Sequence, residues 1–253
     1  MNHDRRGSGS PIVLLHGIGS RWQVWSPVLD RLAARHEVIA LDLPGFGASA
    51  ADGGSGTVEH LADRVASFLS DRELERPVVG GSSLGGAVAL ELGRRGVARS
   101  VVAFSPVGFF GNVGAAWCRT VVNAARAGGA TLSPALPRLF ATRSGRIVLC
   151  GVFYGHPASL DPGDCLADVR ALVAAPGFAT ARRRLGEWRM TEPMPDVPVT
   201  IAWGDRDLVL PYRQAARARR VLPHARHVRL AGCGHLPFAD DPETCARLLL
   251  EAA

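Results

Sequence analysis

The sequence predicts an open, mostly parallel α/β sheet with helices on both faces. Three observations carry this expectation. Short apolar runs alternate with helical patterns over most of the 253 residues. Those runs read as continuous rather than alternating, as expected of parallel strands covered on both sides. One glycine-flanked turn, Gly81-Ser82-Ser83-Leu84-Gly85, joins a strand pattern directly to a helical one.

The elements follow in order. Strands are expected at Ile12–Leu15, Glu37–Leu41, Val78–Gly80, Val101–Phe104, Val199–Trp203 and Arg226–Leu230. Helical patterns cover Val24–Ala34, Val58–Ser70, Leu84–Arg94, Tyr212–Val221 and Pro242–Ala252. The last opens at Asp240-Asp241-Pro242, an acidic helix start with proline in the first turn. Gly53-Gly54-Ser55-Gly56 reads as a surface loop. From Val107 to Pro195 the alternation stops and helical patterns with Pro and Gly punctuation take over. That stretch is too long for a loop in a compact domain. It divides the chain into a core, 1–106 and 196–253, and a helical cap insertion, 107–195. The insertion is expected over the carboxyl ends of the strands, where open α/β sheets bind ligands.

Composition narrows the function classes. Hydrophobic residues make up 47% and charged residues 21%, an ordinary globular balance. No apolar run approaches the length of a membrane span. The polar start, Met1 to Ser10, and the short run after it do not form a signal-peptide core, so a cytoplasmic protein is expected. All 29 basic side chains of the Lys and Arg class are arginine, which excludes a Walker A loop and a Schiff-base lysine. Arg182-Arg183-Arg184 and the set Arg213, Arg217, Arg219, Arg220 read as solvated faces rather than a nucleic-acid surface. Cys118, Cys150, Cys165, Cys233 and Cys245 show no C-x-x-C spacing and read as free thiols. No metal or cofactor, nucleic acid or membrane partner is expected, and the oligomeric state is not legible.

The turn at Ser83 carries the chemistry. G-x-S-x-G between a strand and a helix is the context of a nucleophile elbow. Side chains at Gly81 and Gly85 would collide with neighbouring backbone, and the strain holds the Ser83 hydroxyl at the top of the sheet. A serine hydroxyl needs a base and a third group that orients the base. His235, in a glycine-rich loop just past the last strand, is the base candidate. Asp205 and Asp207, after the preceding strand, are the candidate acids, with Asp205 alternatively a turn carboxylate paired with Arg206. The backbone N–H groups of Leu84 and of Ile18 are the expected oxyanion donors. His16 is expected to hydrogen-bond its own loop.

The chain resembles the serine-nucleophile branch of the α/β-hydrolase superfamily from about Pro11 to its C-terminus. The resemblance rests on His16-Gly17-Ile18-Gly19, on Asp42-Leu43-Pro44-Gly45-Phe46-Gly47-Ala48-Ser49, on the elbow, on Gly204-Asp205-Arg206-Asp207 with Pro211, and on Gly234-His235. The family pattern implies that the acid is Asp207 and that Asp42 is structural. Most relatives carry a β-hairpin before the His-Gly strand. Only about ten polar residues precede it here, so the first two strands are expected to be missing or reduced.

The resemblance implies a serine hydrolase that cleaves a carboxylic ester or related acyl substrate through an acyl-enzyme, using Ser83, His235 and Asp207. A carbon–carbon bond hydrolase of the meta-cleavage-product type on the same triad is the alternative enzyme, and a non-catalytic small-molecule receptor is the alternative of another class. The substrate pocket is expected between sheet and insertion, shaped by Trp22, Trp25, Phe109, Phe110, Trp117, Phe153, Tyr154, His156 and Trp188.

Overall fold

The computed structural model describes residues 1–54, 56–192, 194 and 196–253. Ser55 of the expected surface loop and the insertion boundary at Pro195 lie outside the described residues.

Seven strands form one sheet in the order β1-β3-β2-β4-β5-β6-β7 among the described residues. They are β1 His3–Arg6, β2 Pro11–Leu15, β3 Glu37–Leu41, β4 Val78–Ser82, β5 Ser100–Phe104, β6 Val199–Gly204 and β7 Arg226–Leu230. All neighbours pair in parallel except β1, which runs antiparallel to β3 with His3 opposite Leu41.

The central strands show why apolar runs are needed. In β2, Ile12 and Leu14 pack on one side of the sheet and Val13 and Leu15 on the other. Val38 and Ala40 against Ile39 and Leu41 repeat this split in β3. One face is covered by α1 Ser26–Ala33 and α10 Pro242–Glu251 through Val28, Leu29, Leu32, Leu248 and Leu249. The opposite face is covered by α2 Val58–Ser70, α3 Leu84–Arg94 and α9 Ala215–Val221 through Leu61, Val65, Leu90 and Ala218. Each fully buried aliphatic side chain contributes roughly 1.5–3 kcal/mol, which fixes the period-2 register.

At the sheet edges one expectation is made specific and one changes. The N-terminal hairpin is reduced to the single strand β1, not absent. Arg5 pairs with Glu37, and Arg6 with Asp4 and Asp30, so this edge is charged and resists pairing with another chain. The strand β7 is not covered on both faces: only Leu230 is buried. It is the opposite edge, with Arg226 paired to Glu251 and Arg229 to Asp205.

Between β5 and β6 the described chain forms α4 Asn112–Thr131, α5 Leu136–Ala141, α6 Arg143–Cys150, α7 Pro162–Ala174 and α8 Phe178–Arg184. Leu136, Phe140, Cys150 and Cys165 make a small separate apolar cluster within these helices. Asp161 caps α7 by accepting the N–H groups of Gly163 and Asp164 at 2.7 and 3.0 Å.

Candidate active site

The turn from β4 into α3 sets Ser83 at φ +54° and ψ −113°, a region that non-glycine residues rarely adopt. The glycines on either side have a steric reason. A Cβ at Gly81 would lie 2.1 Å from the Gly85 carbonyl oxygen, and one at Gly85 would lie 2.2 Å from the Leu15 carbonyl oxygen. The helix α3 must therefore start hard against β2. Its first intrahelical bond runs from Ala87 N–H to the Ser83 carbonyl at 3.1 Å. Leu84 N–H lies ahead of that bond with no acceptor among the described residues, at the positive end of the helix.

The two loops after β6 and β7 meet. His235 Nδ1 and Asp207 Oδ2 are 2.8 Å apart, and both side chains are buried. Asp207 Oδ1 accepts the backbone N–H groups of Val209 and Leu210 at 2.9 and 2.8 Å. The carboxylate is thus saturated on one side and aimed at the imidazole on the other. With Nδ1–H donated to Asp207, the unprotonated nitrogen of a neutral His235 is Nε2. Neither His235 Nε2 nor Ser83 Oγ has a hydrogen-bond partner among the described residues, so the structure joins His235 to Asp207 but not Ser83 to His235. Ser83 and the His235 loop converge on the end of β5. Ser83 N–H donates to the Phe104 carbonyl at 2.9 Å, and Phe238 packs on the Phe104 ring with centroids 5.1 Å apart.

The loop after β2 closes over the elbow. A Cβ on Gly17 would come within 3.1 Å of Ser83 Cβ. Ile18 N–H, next in the chain, has no acceptor among the described residues. His16 holds this loop: Nδ1–H donates to the Gly17 carbonyl at 2.7 Å, and Nε2 accepts Leu43 N–H at 3.0 Å. Burial pushes the His16 pKa below its ordinary value, in keeping with a neutral ring that both donates and accepts. Asp42 ties the neighbouring loop by accepting from Trp22 N–H at 2.7 Å, Ala48 N–H at 2.9 Å and Asn2 Nδ2 at 2.7 Å.

Asp205 is held by other partners than His235. It takes Arg229 at 2.9 Å and Gly232 N–H at 2.8 Å, so its charged partner is Arg229 and not Arg206. Burial raises its pKa, but those bonds outweigh burial and the net direction is down.

A cavity of about 470 Å³ opens between this loop cluster and α4–α7. Ile18 and Gly19 on one side and Leu236 on the other bring it next to Gly17 and His235. The rest of the wall is mostly aliphatic and small: Val122, Ala125 and Gly129 of α4, Val169 and Leu172 of α7. Of the aromatic and histidine residues expected there, Phe153 and Tyr154 line it. The others do not. Trp25 is fully buried against Phe238 at 4.1 Å, and Trp22 begins the turn before α1. Phe109 packs on Trp203, Phe110 lies under Arg189, and Trp188 donates to Glu91 at 3.4 Å. Trp117 is exposed and donates to the Leu208 carbonyl at 2.9 Å, while His156 lines a separate shallow opening with Arg143 and Arg206. Most of the expected rings pack elsewhere, while Phe140, Phe153, Tyr154 and Phe238 are the rings that line the cavity.

Two organising contacts were not foreseen from the sequence. Asp240 Oδ2 accepts Gly155 N–H at 2.7 Å and Gly234 N–H at 2.9 Å, and Oδ1 accepts His156 N–H at 2.8 Å. It therefore clamps the His235 loop to the segment after α6, while Asp241 alone caps α10 through Thr244 N–H at 3.0 Å. Arg21 Nε donates to Asp168 Oδ1 at 3.0 Å, joining the loop after β2 to α7.

A family model described as the alpha/beta hydrolase family matches residues 12–248. The chain belongs to that family. It is an α/β-hydrolase enzyme with the fold of that group. It is 32% identical to a pimeloyl-[acyl-carrier protein] methyl ester esterase of Aromatoleum aromaticum, over 94% of this chain and 96% of the relative. An uncharacterized protein of Mycobacterium tuberculosis is 31% identical over 93% of this chain and 73% of its own length. Among solved structures, a thermophilic esterase from Thermogutta terrifontis superposes with a TM-score of 0.78 at 22% identity, covering 99% of this chain and 91% of that one. Among the described residues no helix is long and apolar enough to cross a membrane.

Proposed function

We propose that this α/β hydrolase cleaves a small carboxylic ester or related acyl compound with Ser83 as nucleophile. The observation that carries the reading is the 2.8 Å contact of His235 with Asp207 at the ends of adjacent strands, beside an elbow that holds Ser83 at positive φ.

Ser83 Oγ attacks the substrate carbonyl carbon while His235 Nε2 takes its proton. Asp207 stabilises the resulting imidazolium through Nδ1–H. The Ile18 and Leu84 N–H groups hold the oxyanion; one such donor is worth about 3–4 kcal/mol of transition-state stabilisation. His235 then gives its proton to the leaving alcohol. Water, deprotonated by the same imidazole, releases the acyl group. The segment 107–195 acts as a cap, and the aliphatic cavity takes the non-reacting arm of the substrate. The relatives named as esterases support this choice.

Steady-state assays with p-nitrophenyl esters of graded length, beside a ring-cleavage dienoate, test it. Ester turnover that Ser83→Ala abolishes is the expected result. Dienoate turnover far above ester turnover would assign the carbon–carbon bond reaction instead.

A further inference from the structure

Two thiols face each other in the cavity wall. Cys150 ends α6 and Cys165 sits in the first turn of α7, and their sulfurs are 3.7 Å apart with Cys150 donating. Both are buried from bulk solvent, at 6% exposure each, and both line the cavity.

We infer that Cys150 and Cys165 form an oxidation site, which a hydroperoxide entering the cavity converts to a disulfide joining α6 to α7. To form the bond the sulfurs must close from 3.7 Å to about 2.05 Å.

The two thiols are not equivalent. The S–H donated by Cys150 holds Cys165 below the ordinary thiol value against its burial, with Arg146 adding to the effect and Asp168 and Asp164 opposing it. Cys150, the donor, is pushed up by the same contact and by burial. Cys165 also sits in the first turn of α7, where the positive end of the helix favours a thiolate, so it is the attacking sulfur. Its thiolate attacks a peroxide oxygen and the O–O bond breaks. Cys165 becomes a sulfenic acid, and the departing oxygen takes a proton and leaves as water or an alcohol. The Cys150 sulfur then attacks the Cys165 sulfur and the S–O bond breaks. Hydroxide leaves with the Cys150 proton as water. Two thiols lose two electrons and one hydroperoxide gains them.

The other three thiols lack this arrangement. Burial pushes Cys118 and Cys233 up to about 12 and raises Cys245 as well. The pair is independent of the hydrolytic reading, since its test reads sulfur chemistry.

The reduced full-length protein is treated with one equivalent of hydrogen peroxide, alkylated and mapped by mass spectrometry. Two of the five thiols should be lost, in a cross-linked peptide containing Cys150 and Cys165 that dithiothreitol reverses. In Cys150→Ser the reaction should stop at a sulfenic acid on Cys165, captured by dimedone. Retention of all five thiols in folded protein, or linkage through Cys118, Cys233 or Cys245, would overturn the inference.

Discussion

Asp207 holds His235 at 2.8 Å through one carboxylate oxygen while the backbone of Val209 and Leu210 holds the other. In the proposed mechanism the base is therefore oriented by a group that is itself immobilised. Asp207→Asn keeps the shape but offers an amide where the imidazole needs an acceptor, so the ring can settle in the wrong tautomer. Ester turnover should fall on the order of 10³–10⁴-fold with little change in KM. A KM effect alone would place Asp207 outside the proton transfer.

The loop after β2, which carries the proposed oxyanion donor Ile18, is held by a neutral His16. Its pKa is depressed by burial, so the unfolded chain binds more protons than the folded one between that depressed value and the ordinary 6.5. The His16 contribution to stability is complete above 6.5 and is lost as the pH falls toward the depressed value. Urea midpoints measured from pH 7.5 down to 5 should decline. In His16→Gln the decline should be shallower from a lower starting point. A parallel pair of curves would exclude His16 as the titrating group.

Leu249 is fully buried on the sheet face under α10, and a Cβ built at Gly80 would lie only 2.6 Å from its Cδ2. Packing this close leaves a cavity when the side chain is removed. Leu249→Ala should cost about 2–5 kcal/mol, seen as a lower urea midpoint at unchanged slope.

Gly128 lines the cavity, and a Cβ there would meet nothing within 4 Å. Gly128→Leu should fill cavity space without strain and gain up to about 1 kcal/mol of helix stability. Turnover of p-nitrophenyl octanoate should drop about tenfold or more while that of the acetate stays within about twofold, since each methylene excluded from an apolar site costs of order 1 kcal/mol. Equal loss on both esters would mean that the cavity does not hold the acyl arm.

The sheet was legible because each buried strand needs a continuous apolar run. The helices Val58–Ser70 and Leu84–Arg94 were legible to the residue because caps and glycines mark their ends. The elbow was legible because only glycine fits at 81 and 85. The edge strand β1 was not, since His3-Asp4-Arg5-Arg6 has no apolar period and pairs through its backbone and charges. The cavity lining was legible only in part for a related reason. Aromatic side chains signal burial, in the core or at a cavity wall alike, and one side of this wall comes from Val122, Ala125 and Gly129 at helical spacing on α4. That spacing is visible in the sequence, but which helix it faces is not. The Asp240 clamp was hidden behind Asp241, because two adjacent aspartates before a proline both read as a helix cap.

The most direct test is labelling with a fluorophosphonate followed by peptide mapping. Folded protein should carry one adduct, on Ser83, and His235→Ala should slow its formation by several orders of magnitude. An unlabelled Ser83 in active protein, or an adduct on another serine, would contradict the account.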